Sequence, residues 1–196
     1  KRQIINCLIN SNRASGVGGA VYIEEAAPTI RLCTIVNNMG GTDPDAPMLG
    51  PAGGIVNVGE DIGPTINHCI LDGNMDDLRN CSASYSCVTD LDTDSAGPGN
   101  VYDDPLFVAG PMGNFYLSQE MGNQPQDSPC VDAGQFILMQ LQMQYGLAAD
   151  LTTAVTQVTD MEPTDMGYHY PVFVPAYGPD MYKFKLYPAE MGTLRY

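Results

Sequence analysis

Apolar residues are set along the first half of this chain in short clusters, each cut off by asparagine, glycine or proline. Three clusters follow one template: Gln3-Ile4-Ile5-Asn6-Cys7-Leu8-Ile9-Asn10-Ser11-Asn12, Thr29-Ile30-Arg31-Leu32-Cys33-Thr34-Ile35-Val36-Asn37-Asn38 and Thr65-Ile66-Asn67-His68-Cys69-Ile70-Leu71-Asp72-Gly73-Asn74. In each, Ile stands three residues before Cys, Ile or Leu two after it, and Asn five after it. A second shared piece lies between the copies, Gly18-Gly19-Ala20-Val21-Tyr22-Ile23 and Gly53-Gly54-Ile55-Val56-Asn57-Val58, followed by Pro28-Thr29-Ile30 and Pro64-Thr65-Ile66. Self-similarity of this kind marks a repeat architecture, in which each unit buries its apolar face only against its neighbours.

The template cysteines are 26 and then 36 residues apart, and nine of the ten extra residues fall between the Asn and the Gly-Gly pair. The strand segments are therefore constant and one turn is long. Short β segments in constant register, joined by turns of variable length, predict an all-β parallel β-helix of three to four coils. Equivalent residues then stack at an interstrand spacing of about 4.8 Å. Cys7, Cys33 and Cys69 form one column, and Ile9, Ile35 and Leu71 another. Ile4, Ile30 and Ile66 stand at odd separation from the Cys, so a straight strand puts them on the opposite face. A bend between the two positions brings both inside. Asn12, Asn38 and Asn74 then form a ladder at a second corner, where Asn tolerates unusual backbone angles. The Gly-Gly pairs make a third, through positive φ or close backbone approach.

Tyr85-Ser86-Cys87-Val88-Thr89 reads as a fourth, degraded copy, with Cys87 in the cysteine column, Thr89 at the aliphatic position and Asp92 at the Asn position. Residues 75–84 read as a polar loop carrying Cys81. The chain thus divides into coils over 1–89, an irregular C-terminal cap packed on the last coil over 90–170, and an extended tail over 171–196. Within the cap, 101–108 and 114–117 predict strands and 136–147 a short helix.

A formal charge of −15 with only eight Lys and Arg argues against nucleic acid and anionic lipid surfaces as partners. No apolar run approaches the roughly 18 residues of a membrane span. Six cysteines, none in a C-x-x-C pair, and few charges suit a secreted or surface protein better than a cytosolic enzyme. The opening Lys1-Arg2, directly before a strand, reads as the start of a mature product or fragment.

Several of these motifs resemble right-handed parallel β-helix repeat proteins of bacterial cell surfaces. The resemblance lies in Pro-Thr-Ile-x-x-Cys-x-Ile-x-x-Asn and Gly-Gly-Ile-Val, then Gly99-Asn100-Val101, Asp104-Pro105-Leu106-Phe107-Val108, Ser128-Pro129-Cys130-Val131-Asp132-Ala133-Gly134 and Asp165-Met166-Gly167-Tyr168-His169-Tyr170. It implies an extracellular, right-handed β-helix with a non-repetitive C-terminal cap, and says little about activity.

The candidate chemistry is sparse. Asp90, Asp92 and Asp94 alternate in one loop, the arrangement by which carboxylates converge on calcium, although the twelfth position is Val101 rather than Glu; the competing reading is a solvated acidic loop. Asp43-Pro44-Asp45 is a weaker version. The column cysteines read as packed free thiols, because in-register neighbours keep their Cβ atoms farther apart than the roughly 3.5–4.5 Å a disulfide needs. A disulfide is expected off the column, Cys81 with Cys87 or Cys130. His68 is expected to point outward and His169 to serve packing and hydrogen bonding. Asn80-Cys81-Ser82 matches a glycosylation sequon. A polysaccharide lyase or hydrolase needs clustered carboxylates beside a base, and the coils offer only Arg13, Arg31 and Arg79 with Glu24 and Glu25, in no recurring pair. The sequence therefore points to a non-catalytic, secreted or cell-surface scaffold, structural or adhesive. Because the chain opens on a strand, either more coils precede it or another molecule stacks there; other copies of itself, or another surface protein, are expected at this N-terminal strand edge, as in a filament. A carbohydrate-active β-helix enzyme, or a C-terminal fragment of one, is the alternative, and a glycan-binding module is disfavoured by the absence of Trp.

Overall fold

In the computed structural model, which describes residues 2–42, 51–59, 62–90, 96–160 and 163–172, the repeated clusters fold into short strands. These are β1 (Gln3–Ile5), β2 (Leu8–Asn10), β3 (Val21–Ile23), β4 (Thr29–Arg31), β5 (Thr34–Val36), β6 (Ile55–Asn57), β7 (Thr65–Asn67), β8 (Ile70–Asp72), β9 (Leu78–Arg79), β10 (Ala83–Ser84) and β11 (Cys87–Val88). The chain visits three parallel sheets in rotation. β1, β4, β7 and β10 lie side by side in the first, β2, β5, β8 and β11 in the second, and β3, β6 and β9 in the third.

Register makes columns of the apolar positions. Ile4, Ile30, Ile66 and Ala83 pair in the first sheet, Ile9, Ile35, Leu71 and Val88 in the second, and Val21, Ile55 and Leu78 in the third. Together with Cys33 and Cys69 these columns meet in one core. Ile30, Ile35 and Ile55 are wholly shielded from solvent, and each such side chain contributes about 1.5–3 kcal/mol through the area it removes from water.

The strands are short because every repeat must turn at the same places. The residue before each template Cys adopts the left-handed conformation: Asn6 (φ 49°), Leu32 (52°) and His68 (55°), joined by Tyr85 (48°) in the fourth copy. This is the bend that brings the Ile and Cys positions onto one core. Leu and Tyr rarely adopt such angles. Backbone bonds between neighbouring copies hold them there, Asn6 N–H to Arg31 O (3.0 Å) and His68 N–H to Tyr85 O (3.0 Å). At the second corner the left-handed residue is Ser11, Asn37 or Gly73, one before the ladder Asn rather than the ladder Asn itself. The ladder amides bond along the stack: Asn12 Nδ2 to Asn38 Oδ1, and Asn38 Nδ2 to Asn74 Oδ1, both 2.9 Å. Asp77 ends the ladder, its Oδ1 accepting from Asn74 Nδ2 at 2.8 Å. At the third corner, a Cβ on Gly53 would stand 2.0 Å from the carbonyl oxygens of both Asn38 and Asn74. Close approach fixes that glycine.

Two expectations are corrected. Residues 75–84 are not simply a polar loop: they supply β9 and β10, with Leu78 and Ala83 buried in the columns and Cys81 packed against the same core. In the fourth copy Cys87 pairs with Ile70, and Val88 with Leu71, so Ser86 occupies the column position and Val88 the aliphatic one. Ser86 Oγ donates to Ser84 O, as each column thiol donates to the carbonyl two residues back. Asp92, and with it the expected continuation of the Asn column, lies outside the described residues.

Residues 98–101 lie against the fourth copy. Val101 bridges Cys87, and Tyr85 N–H donates to Pro98 O. Of the strand expected over 101–108, only the end forms, as β12 (Phe107–Gly110), which pairs antiparallel with β13 (Gly113–Leu117). Then α1 (Leu138–Tyr145) ends on Gly146 in the left-handed conformation (φ 67°), whose N–H caps Gln142 O. β14 (Leu151–Thr152) and β15 (Tyr170–Pro171) form a last antiparallel pair. This region also runs back along the flank of the stack. Leu138, Leu141 and Leu151 pack on Leu32, Tyr168 N–H donates to Thr34 Oγ1 (2.9 Å), and His169 N–H donates to Asn6 Oδ1 (2.7 Å). Among the described residues no helix is long and apolar enough to cross a membrane.

Candidate functional site

Of the expected calcium loop, Asp90 is described, while Asp92 and Asp94, like the Asp43-Pro44-Asp45 turn, lie outside the described residues. Asp90 is tied to the ladder terminus. Its carboxylate accepts from Asp77 N–H, and its own N–H donates to Asp77 Oδ2 at 3.2 Å. Burial, with the Asp90 charge adding to it, raises the Asp77 pKa above the usual carboxylate range.

A different acidic group is assembled from the C-terminal region. Asp132, Asp160 and Asp165 place carboxylate oxygens within 4.8 Å of one another, a grouping of hard oxygen donors of the type calcium uses. Asp165 is buried and held on all sides. Its Oδ1 accepts from Asp132 N–H (2.7 Å), its Oδ2 accepts from Thr153 Oγ1 and from Gln119 Nε2, and its own N–H donates to Asp160 Oδ2 (3.0 Å). Burial, then the Asp160 charge, pushes the Asp165 pKa up to about 6, against the lowering effect of those donors. Asp132 is raised as well, by burial first and by Asp160 and Asp127 after it. Asp132 and Asp165 lie in two of the motifs that carry the family resemblance, yet their spacing of 33 residues carried no signal that they meet.

The two histidines occupy unlike settings. His68 does point away from the core, but it is not on the surface: the C-terminal region closes over it. Gln135 N–H donates to His68 Nε2 (3.0 Å), so that nitrogen carries no proton and Nδ1 donates to Asn67 Oδ1 (3.2 Å). Phe136 packs on one side of the ring at 5.5 Å, and Tyr85 stacks at 6.3 Å. Burial, reinforced by the charges of Arg31 and His169, lowers its pKa to about 4. His169 is buried with both ring nitrogens facing acceptors, Gly167 O at 2.9 Å and Asp160 Oδ2 at 2.7 Å. It is the packing and hydrogen-bonding residue the sequence suggests.

All six cysteines are free thiols. Cys7, Cys33 and Cys69 stack as expected, and Cys81 donates to Ile55 O at 3.6 Å, away from both partners expected for it. Of the arginines considered for catalysis, Arg31 lies over the rings of Phe136 and Tyr145, 5.9 and 5.7 Å from their centroids. Arg13 lines a shallow cleft with Met39 and Gly40, and Arg79 pairs with Asp76. A larger cleft of about 590 Å³ holds Arg2, Glu24 and Glu25.

The remaining feature is the edge formed by β1, β2 and β3. Here Ile4, Cys7 and Ile9 are only half-buried, whereas their column neighbours Ile30, Cys33 and Ile35 are wholly covered. No family model, no curated protein and no solved structure matches this chain.

Proposed function

We propose that this chain is a non-catalytic, secreted or cell-surface protein whose three sheets form a right-handed parallel β-helix, serving as a structural or adhesive scaffold. Its partner is a second copy, paired through the β1, β2 and β3 edge. The half-buried Ile4, Cys7 and Ile9 on this edge carry the reading. An edge strand offers unpaired backbone groups, and apolar side chains beside them favour pairing over solvation. At the opposite end residues 98–101 bond to the fourth copy, so two β1, β2 and β3 edges meeting make the simplest assembly. The acidic surface suits an extracellular setting, and the resemblance in the repeat and C-terminal motifs agrees with it.

Electron microscopy and sedimentation of the purified protein test the reading. Paired particles or filaments that disappear in Ile4→Lys, which places a charge in the column at the edge, are the expected result. A wild type that stays monomeric up to high concentration removes the assembly.

The carbohydrate-active alternative has one observation in its favour, the cleft in which Arg2 stands with the exposed carboxylates Glu24 and Glu25. Cleavage of an acidic polysaccharide that is lost in Glu24→Gln or Glu25→Gln would establish it instead.

A further inference from the structure

The cysteines are placed in two different ways. Cys7, Cys33 and Cys69 stand in register, one strand spacing apart at about 4.8 Å, and each donates to the carbonyl two residues back, Ile5, Arg31 and Asn67. That geometry keeps them separate, since disulfide Cβ atoms stand about 3.5–4.5 Å apart. Cys87 escapes it. Because Ser86 takes the column position, Cys87 turns out of the core into a second cluster with Ile70, Leu117, Cys130 and Met166. Cys130 arrives there from the C-terminal region, positioned by Ser128 Oγ, which accepts the Cys130 N–H (3.1 Å), and by Met166 N–H, which donates to Cys130 O (2.9 Å). No strand ladder sets its distance from Cys87. Both residues are wholly buried in this one cluster, and Cys87 Sγ donates to Asp103 O at 3.3 Å.

We propose that Cys87 and Cys130 join in a disulfide when the protein folds under oxidising conditions, tying the last repeat to the C-terminal region while the column thiols and Cys81 stay reduced. With oxidised glutathione as oxidant, one protein thiolate attacks the glutathione disulfide and releases one glutathione thiol. The second protein thiolate then attacks the mixed disulfide and releases the other. The two cysteines lose two electrons and two protons, and one glutathione disulfide is reduced to two thiols. The neighbouring Cys130 thiol, and burial after it, disfavour the Cys87 thiolate in the folded state, so the exchange belongs to folding, before the C-terminal region closes over the repeat.

The test is to reduce and unfold the full chain, refold it in a glutathione redox buffer, alkylate it in denaturant and map the peptides by mass spectrometry. The expected result is a peptide linking Cys87 to Cys130, with Cys7, Cys33, Cys69 and Cys81 alkylated. Reduction of that form should lower the thermal midpoint by roughly 5–10 °C. In Cys130→Ser the Cys87 thiol should become alkylatable and the thermal shift vanish; the wild-type peptide map decides the matter even if this variant fails to fold. Folded wild type with all six cysteines alkylated, or with its link at Cys81 or within the column, overturns the proposal. Because the buffer supplies the oxidant, the result does not depend on the secreted reading.

Discussion

In the stacked strands each core residue is held by copies of itself. Ile30 lies between Ile4 and Ile66, and Asn38 bonds to Asn12 on one side and Asn74 on the other. Among the described residues from 96 onward, the contacts are individual pairs. His68 meets Gln135, Thr34 meets Tyr168, Asn6 meets His169, and Asp165 gathers donors from Thr153, Gln119 and Asp132. The stack is specified by a rule and the flank by individual pairs. In parallel strands stacked in register, each layer is held by its neighbours, so damage at one column position passes to the layers above and below. Damage in the flank changes how one segment docks.

The largest expected effect follows from the stack's tightest point. Gly53→Ala drives a methyl into two backbone carbonyls that cannot yield independently, and should cost at least about 4 kcal/mol. A urea denaturation midpoint near that of wild type would show that the third corner is looser than described. Next, Asn38→Ala leaves the Ile9 carbonyl and the Asn12 amide groups without their partner and should cost roughly 3 kcal/mol, read by the same titration.

The flank is sharpened by pH. His68 has its folded pKa lowered from 6.5 to about 4, so the unfolded chain binds its proton first. Its contribution is present above pH 6.5 and is lost as pH falls toward 4. Asp165 has its folded pKa raised to about 6. Its contribution is present below the ordinary carboxylate pKa and is lost as pH rises through about 6. The two oppose each other over the same window. His68→Gln should therefore become more stable than wild type, in relative terms, by roughly 2–3 kcal/mol between pH 6.5 and 4, and Asp165→Asn should show the opposite slope. Parallel pH profiles for both variants and wild type would mean that neither group is closed off as described. The smallest effect belongs to Ser86→Cys, which restores the template residue at the column position and should shift stability by no more than about 1 kcal/mol. A large loss would contradict the register of the fourth copy.

The stack was legible because spacing repeats: Ile, Cys, Ile or Leu, and Asn at fixed offsets can be read without knowing any contact. The fourth copy misled because Cys87, one residue beyond Ser86, matches the template by identity, while Ser86 matches it by what its hydroxyl does. β9 and β10 escaped notice because Leu78 and Ala83 carry the columns without the surrounding template. The burial of His68 and the meeting of Asp132, Asp160 and Asp165 depend on segments folded back from a distance, and no periodicity encodes such pairings. The helix at Leu138–Tyr145 was visible from its own local pattern.

The central claim is that a second copy pairs with the edge at β1, β2 and β3. Amide hydrogen exchange, followed by mass spectrometry at low and high protein concentration, tests it most directly. The account predicts that peptides covering β1, β2 and β3 gain protection as concentration rises, while those covering β7 and β8 stay equally protected throughout. Edge peptides that exchange at one rate at every concentration would contradict it.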